Sequence, residues 1–215
     1  MIIVDGPAEL GGEITIQGAK NSTLPLLAAA VICKGQTVLH NCPRLSDVET
    51  AVRILEHLGC RCRREGSDLI VDNAMTCCEI PNDLMRGMRS SIVFLGALVS
   101  RCGEANLYFP GGCELGPRPI DLHISSLKKL GVEIEETGGC LHCRAPHGIV
   151  GNYVSLSFPS VGATENLMLA AVCSHGTTII ANAAREPEIS DLAAYLNRCG
   201  GRIYGAGESC IIIDG

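Results

Sequence analysis

The residues best suited to do chemistry lie in a short loop rich in glycine and proline. The segment Pro110-Gly111-Gly112-Cys113 is followed closely by Gly116-Pro117-Arg118-Pro119. Glycine gives a backbone unusual freedom and proline fixes its own dihedral angle, so the loop predicts a presented thiol rather than a packed one. The guanidinium of Arg118 could hold an anion nearby or favour the thiolate. The alternative is a surface turn with an incidental cysteine, since the chain has 13 cysteines.

Three predicted helix starts offer a second kind of chemistry, the binding of an anion. A helix N-terminus attracts anions through its free amides and its dipole. At the first start Lys20 adds a positive charge, Asn21 or Ser22 is predicted to cap the helix, and Pro25 suits its first turn. The alternative is three ordinary caps. The segments are Gly18-Ala19-Lys20-Asn21-Ser22, Arg86-Gly87-Met88-Arg89-Ser90-Ser91 and Ser160-Val161-Gly162-Ala163-Thr164-Glu165.

A threefold repeat supplies the elements that must position these residues. Each unit is predicted to contain an apolar helix that ends at a glycine, a strand, a second helix that ends at a glycine, and a hairpin. The two glycines of a unit lie 24 residues apart in the first and third units and 28 apart in the second. The longer interval contains the cysteine loop, and loops on rigid scaffolds are favoured places for function. The glycine pairs are Gly35 and Gly59, Gly103 and Gly131, and Gly176 and Gly200.

Composition limits the classes of protein that this chain can represent. Its 215 residues are 47% apolar and 19% charged, which predicts a folded chain with a sizeable core. The net charge of −6 argues against a general nucleic-acid partner. The sequence has no apolar run near the ~20 residues that span a bilayer, so no membrane partner is predicted. Cysteine-rich composition without an export signal predicts reduced thiols in the cytoplasm.

Six separated motifs together resemble the enolpyruvyl transferase family, and within it the members that act on UDP-N-acetylglucosamine. They occur in the family's order and cover essentially the whole chain. The shikimate-pathway relative shares the architecture but lacks the Pro-Gly-Gly-Cys loop. The motifs are Gly18-Ala19-Lys20-Asn21, Met88-Arg89, Pro110-Gly111-Gly112-Cys113, Arg118-Pro119-Ile120-Asp121-Leu122-His123, Phe158-Pro159-Ser160-Val161-Gly162-Ala163-Thr164 and Asn182-Ala183-Ala184-Arg185-Glu186-Pro187-Glu188-Ile189.

The resemblance implies an α/β fold, an inside-out α/β barrel with three repeated βαβαββ-like units around a pseudo-threefold axis. The family has two such lobes and is about twice this length. Residues 20–215 would form the cysteine-bearing lobe, with units at about 20–72, 85–145 and 153–215. Residues 1–19 would belong to the second lobe.

The resemblance also implies roles for individual residues. Cys113 would be the catalytic general acid toward the methylene carbon of phosphoenolpyruvate, able to form a covalent adduct and alkylated by fosfomycin. Lys20 and Asn21 would hold phosphoenolpyruvate, and Arg89 would reach the sugar nucleotide or the phosphate. The residues placed against the nucleotide would be Arg118, Pro119, Ile120, Asp121 and Leu122, with Ser160 and Val161 near the diphosphate.

The implied reaction transfers the enolpyruvyl group of phosphoenolpyruvate to the 3′-hydroxyl of UDP-N-acetylglucosamine, the first committed step of peptidoglycan synthesis. The general base and a further arginine come from the second lobe, so we expect this chain alone to be inactive. The alternative is a non-catalytic UDP-sugar-binding domain of the same fold. No metal or cofactor is implied. A zinc site formed by Cys60-x-Cys62 and Cys140-x-x-Cys143 is disfavoured because these cysteines fall in different units.

Overall fold

The computed structural model describes residues 2–7, 9, 11–111 and 120–215, and three similar units follow one another along them. The first unit contains α1 (Lys20–Ala29), β1 (Gly35–Leu39), α2 (Ser46–His57), β2 (Arg61–Glu65) and β3 (Asp68–Asn73). The second contains β4 (Glu79–Ile80), α3 (Asn82–Gly87), a 3-10 helix (Arg89–Val93), α4 (Phe94–Cys102), β5 (Glu104–Tyr108), α5 (Asp121–Lys129), β6 (Glu133–Thr137) and β7 (Cys140–Arg144). The third contains β8 (Tyr153–Ser155), α6 (Val161–Ala171), β9 (Thr177–Ala181), α7 (Pro187–Arg198), β10 (Arg202–Tyr204) and β11 (Cys210–Asp214). The predicted repeat is confirmed.

Each unit builds its own sheet, and the three sheets share one topology with a single difference. The second and third sheets have the orders β4-β5-β7-β6 and β8-β9-β11-β10. In both, the first strand is parallel to its neighbour and the other pairs are antiparallel. The first sheet has the order β1-β3-β2 in the described part of the chain. Its β1 edge therefore lacks the parallel strand that covers the equivalent edge of the other two.

One apolar helix from each unit lies in the centre of the molecule, namely α1, α4 and α6. Every residue of α6 from Ala163 to Ala171 is buried, and α4 is buried from Phe94 to Val99. Helix α4 packs against both α1 and α6. A helix that is apolar all round must be buried on all sides, whereas α2 and α7 bury a single face. The helices lie inside and the sheets outside, as predicted. In the described residues the sheets do not hydrogen-bond to one another into a closed barrel.

The start of α1 differs from the prediction in its cap and in the place of its proline. The helix begins at Lys20 after Ala19, and neither Asn21 nor Ser22 caps it. The polar side chains of these two residues bind carboxylates on a distant helix, so they are unavailable to the helix start. Pro25 lies inside the helix rather than in its first turn, where it removes the internal hydrogen bond to the Asn21 carbonyl.

The structure describes the beginning of the cysteine loop, which is held against α3. The Gly111 amide donates to the Met85 carbonyl at 3.2 Å. A Cβ atom at Gly111 would collide with the backbone carbonyl of Arg86, so only glycine fits this contact. The loop therefore leaves the scaffold at a fixed point. Among the helices that the structure describes, none has the length and apolar character needed to cross a membrane.

Candidate functional site

Eight of the eleven predicted site residues lie in the described part of the chain, and all eight begin helices or flank their first residue. Cys113, Arg118 and Pro119 lie outside the described residues, so their placement stays a prediction. Lys20 and Asn21 begin α1, Arg89 begins the 3-10 helix that leads into α4, Ile120, Asp121 and Leu122 begin α5, and Ser160 and Val161 begin α6.

At the start of α1, three consecutive side chains each contact a carboxylate. Lys20 Nζ forms an ion pair with Asp47 Oδ2 of α2 at 3.0 Å. Asn21 Nδ2 donates to Glu188 Oε1 of α7 at 3.3 Å, and Ser22 Oγ donates to Asp191 Oδ2 of the same helix at 2.5 Å. These contacts fix the direction of Lys20 and offset part of its charge. An anion bound here would share Lys20 with Asp47.

A buried carboxyl group in α6 is affected by the same Glu188 that binds Asn21. Glu165 is only 6% exposed. Burial, together with the negative charges of Glu188 and Glu186, raises the pKa of Glu165 to about 8. Glu165 is therefore mainly protonated at neutral pH. Glu188 thus connects the two units, because it accepts from Asn21 and acts electrostatically on Glu165.

Asn166, the next residue of α6, is completely buried and uses every polar atom of its amide. Its Oδ1 accepts from the Gly96 amide at 2.7 Å. Because a backbone N–H can only donate, this contact fixes the orientation of the amide group. Asn166 Nδ2 donates one hydrogen to the Ile92 carbonyl at 2.9 Å and the other to His123 Nδ1 at 2.7 Å. Helix α6 is thereby joined to α4, to the 3-10 helix and to α5.

The His123 ring is neutral and carries its proton on Nε2, because Nδ1 accepts from Asn166. Burial and the nearby positive charge of Arg89 lower the pKa of His123 to about 4, and the negative charge of Asp121 opposes them. The far side of the ring lies against Gly162. A Cβ atom there would be 3.1 Å from Cε1 and 3.4 Å from Nε2. His123 therefore lies among Arg89, the start of α5 and the start of α6.

The start of α6 is the one predicted helix start that a side chain caps in the described residues. Ser160 Oγ accepts from the Ala163 amide at 3.4 Å. Thr164 Oγ1 donates to the Ser160 carbonyl at 2.8 Å and accepts from the Ala184 amide at 3.1 Å. A cavity of about 440 Å³ opens beside the start of α6, and it is lined by Pro159, Asn182, Ala183, Arg185 and Glu186. Arg185 supplies a cation there that the sequence prediction did not assign.

The structure separates the cysteines of the alternative zinc site. Cys62 lies on β2 in the first sheet and Cys60 directly precedes it, whereas Cys140 and Cys143 lie on β7 in the second sheet. Within residues 2–7, 9, 11–111 and 120–215, the structure contains no group of three or more histidine, cysteine or acidic side chains that could hold a metal ion.

Comparison with known proteins identifies similar chains in one family. The family model described as EPSP synthase (3-phosphoshikimate 1-carboxyvinyltransferase) matches residues 4–215. UDP-N-acetylglucosamine 1-carboxyvinyltransferase 2 of Caldanaerobacter subterraneus subsp. tengcongensis is 53% identical over 99% of this chain and 51% of its own length. UDP-N-acetylglucosamine 1-carboxyvinyltransferase 1 of Symbiobacterium thermophilum is 47% identical over 99% and 50%. The chain thus spans about half the length of the curated relatives it matches.

Solved structures agree on the fold. The enolpyruvyl transferase NikO from Streptomyces tendae has a TM-score of 0.84 at 24% identity, over 97% of this chain and 49% of that one. An EPSP synthase from Acinetobacter baumannii has a TM-score of 0.73 at 17% identity, over 95% and 47%. These likenesses confirm the predicted architecture.

Proposed function

We infer that this chain, which belongs to the EPSP synthase (3-phosphoshikimate 1-carboxyvinyltransferase) family, forms the cysteine-bearing half of a UDP-N-acetylglucosamine 1-carboxyvinyltransferase. The reaction moves the enolpyruvyl group of phosphoenolpyruvate to the sugar 3′-hydroxyl and releases inorganic phosphate. It is the first committed step of peptidoglycan synthesis. We propose a cytoplasmic protein, because the reaction requires a reduced Cys113 thiol.

One observation carries this proposal: side-chain hydrogen bonds and one electrostatic interaction, that of Glu188 with Glu165, connect the helix starts of all three units through α6 and its neighbour α7. Asn21 of the first unit contacts Glu188, whose charge acts on Glu165 of α6. Asn166 of α6 contacts both Ile92, in the 3-10 helix that Arg89 begins, and His123 of α5. A substrate with several anionic groups can therefore contact residues that come from three separate parts of the chain.

During the proposed reaction, positive charge develops on a carbon atom of phosphoenolpyruvate and negative charge on its leaving phosphate. Cys113 protonates the methylene carbon, which leaves positive charge on the adjacent carbon. The sugar 3′-hydroxyl attacks that carbon and loses its proton to a base in the other half of the protein. As the phosphate leaves, the methyl group returns a proton to the Cys113 thiolate, which restores the double bond of the enolpyruvyl product. Lys20, Arg89 and Arg118 stabilise the negative charge of the departing phosphate. Asn21 adds a neutral hydrogen bond that orients the anion.

The first sheet supports a second half that completes the molecule. The open edge of β1 lies beside a cavity of about 310 Å³ whose lining includes Val38 and Leu39 of β1 and Tyr195 of α7. In the third sheet the equivalent edge is covered by β8, which contacts α5 of the preceding unit. If the first unit is completed in the same way as the third, a strand between β1 and α7 would fill this cavity. We assign that strand to the other half, and residues 20–215 to the lobe described.

Residues 1–19 contain a further segment that we assign to the other half. Glu13-Ile14-Thr15-Ile16 alternates like a strand but forms none, and Ile14 and Ile16 are 85% and 72% exposed. Apolar side chains at alternating positions suit a strand of a sheet in the other half. We therefore expect this chain alone to bind substrate weakly and to release no phosphate, and we expect turnover when the other half is supplied.

Alkylation by fosfomycin tests the proposed function. The chain is incubated with fosfomycin and UDP-N-acetylglucosamine, and its intact mass and labelled peptides are measured. We expect a single adduct on Cys113 and none in a Cys113→Ser variant, while the other twelve cysteines serve as internal controls. Labelling spread over several thiols, or persisting in the serine variant, would contradict the proposal.

The alternative function is a non-catalytic UDP-sugar-binding domain, which the half-length match to the relatives favours. Titration of UDP-N-acetylglucosamine with and without phosphoenolpyruvate separates the two. A transferase half should bind the sugar nucleotide more tightly when phosphoenolpyruvate is present, because the two substrates bind next to each other. A simple binding domain should show the same affinity in both titrations.

A further inference from the structure

A row of four apolar side chains crosses the outer face of the third sheet. The strand register places one residue of each strand beside the next, in the order Tyr204, Ile212, Ile179 and Tyr153. The two tyrosines, at the edges of the sheet, are 56% and 61% exposed, and Ile212 is 40% exposed. The residues between them along the strands are buried on the opposite face, which packs against α6. Exposed apolar patches of this kind are typical of interaction sites.

The equivalent rows of the other two sheets show that the scaffold does not require apolar side chains here. In the first sheet the row ends at Arg63, whose guanidinium forms ion pairs with Glu65 and Asp72 on the outer face. In the second sheet the row is entirely polar and consists of Glu79, Asn106, His142 and Glu135. One repeated position is thus polar or charged in two units and apolar across the whole third sheet. The apolar row therefore serves a contact that the other sheets do not make.

The apolar row has the same order of residue types from either end: tyrosine, isoleucine, isoleucine, tyrosine. A two-fold axis along the strands, between β9 and β11, would bring Tyr153 of one copy against Tyr204 of a second copy. The same axis would bring Ile179 against Ile212. Two sheets pack face to face with their strands nearly aligned, which this axis produces. The row is therefore complementary to itself, as a symmetric dimer requires.

The outward residues on both sides of the apolar row allow two such sheets to approach. On one side they are small and uncharged, namely Ser155, Ala181 and Cys210. On the other side the axis places Asp214 opposite Thr177 of the second copy, because these two residues are register partners within one sheet. A carboxylate then faces a hydroxyl rather than another carboxylate. The charges of this face are therefore compatible with a second copy.

We propose that the outer face of the third sheet joins two copies of this chain in a symmetric dimer, with the apolar row at its centre. The exposed parts of the two tyrosines amount to on the order of 250 Å². A standard interface buries roughly 800 Å² on each partner. The isoleucines and the small neighbouring residues supply part of the remainder, so the dimer is weak, with a Kd on the order of tens of micromolar. Because α6 lies on the opposite side of the sheet, the dimer does not depend on the proposed function.

Sedimentation velocity of the unmodified chain gives the first test. The chain is measured from about 1 µM to about 300 µM with a reducing agent present, a range that brackets the expected Kd. We expect the average mass to rise from that of a monomer toward that of a dimer. A chain that stays monomeric over this range would overturn the proposal.

Two lysine variants at equivalent places of two sheets give the second test. Ile212→Lys puts an ammonium group at the centre of the apolar row, and we expect the Kd of the dimer to rise at least about tenfold. The matched control is His142→Lys in the polar row of the second sheet, which should leave the Kd unchanged. Both variants reduce the net charge of −6, so general repulsion cannot explain a loss of the dimer. Thermal melts check that both variants fold, and Tyr204→Thr replaces Ile212→Lys if that variant does not.

A thiol crosslink at Cys210 tests which face forms the dimer. Neighbouring strands lie about 4.8 Å apart and packed sheets about 10 Å apart, so the two Cys210 Cα atoms of the dimer should be about 11 Å apart. Cys210 is exposed, and a bismaleimide of that span should link it to Cys210 of the second copy. A link between two copies of one residue can join only two chains, and peptide mass spectrometry identifies it. A dimer that lacks this link, or that persists unchanged in Ile212→Lys, would show that another surface is used and would overturn the proposal.

Discussion

The starts of α1 and α6 occupy equivalent places in the first and third units, yet they rest on opposite kinds of interaction. At α1 the side chains are charged or exposed, and Lys20, Asn21 and Ser22 each contact a carboxylate. At α6 the contacts are neutral: Ser160 caps the helix, and Asn166 holds the neutral His123 ring in the interior. The first arrangement supplies charge that an anion can share. The second supplies fixed dipoles that a ligand need not rearrange.

The largest expected effect comes from removing the centre of the neutral arrangement. Asn166→Leu leaves the Gly96 amide, the Ile92 carbonyl and His123 Nδ1 without partners in the interior. We expect a loss of about 3 kcal/mol in the free energy of unfolding. The matched control is Asn21→Leu at the exposed start of α1, which should cost less than about 1 kcal/mol. Urea denaturation measures both, and equal losses would contradict the contrast between the two starts.

The charged arrangement should respond in binding rather than in stability. Lys20→Met removes the cation that α1 offers to phosphoenolpyruvate, and we expect affinity to fall about 10- to 100-fold. The dependence of binding on salt should also weaken. Isothermal titration of phosphoenolpyruvate at two ionic strengths measures both effects. The control is Lys34→Met, which changes an exposed lysine beyond the far end of α1. Equal effects of the two variants would show that only net charge matters.

Glu165, a buried residue of α6, should make stability depend on pH. Its pKa is about 8 in the folded chain and near the ordinary 4.5 when unfolded. The unfolded chain loses this proton first, so its contribution to the free energy of unfolding should fall as the pH rises from about 4.5 to 8. Glu165→Gln should remove that fall. Relative to the unmodified chain, the variant should therefore be more favourable for stability at pH 9 than at pH 5.

Thermal unfolding at several pH values measures the Glu165 effect. The control is Glu136→Gln, which changes an exposed carboxylate on β6. An unchanged pH dependence in Glu165→Gln, or the same change in both variants, would show that Glu165 is ionised without cost in the folded chain.

The smallest expected effect concerns the caps themselves. Ser160→Ala removes the capping oxygen of α6 and should cost about 0.5–2 kcal/mol of stability. Ala19→Ser offers α1 a cap that it lacks, and the extended backbone of residue 19 suits that role. We expect a gain of a few tenths of a kcal/mol. Thermal melts of the two variants should move in opposite directions, and shifts of the same sign would contradict this account.

The sequence predicted the scaffold well because the signals of the scaffold are local. Glycines such as Gly59 and Gly200 end helices where positive backbone angles are required, and these positions hold in the structure. The cap of α1 was predicted wrongly for the opposite reason. Asn21 is a good cap by residue type, but its partner Glu188 lies 167 residues away along the chain. No local pattern reveals such a contact.

The place of the candidate site residues in the fold was predicted in part for the same reason. Helix starts can be found from sequence, so the eight described residues could be placed at helix starts, and their binding roles stay predictions. The partners that fix them could not be found, because Asp47 lies 27 residues from Lys20 and Asn166 lies 43 from His123. His123 did lie inside a motif that carried the family resemblance. The orientation of its ring depends on the buried amide of Asn166, which only the folded chain brings into contact with it.

A titration followed at individual backbone amides tests most directly whether the three helix starts form one site. UDP-N-acetylglucosamine and then phosphoenolpyruvate are added to the 15N-labelled chain, and the shifts at the starts of α1, the 3-10 helix and α6 are followed. We predict that, for each ligand, the shifted amides at all three starts follow one binding curve with one Kd. Independent curves, or shifts confined to a single helix start, would contradict a shared site.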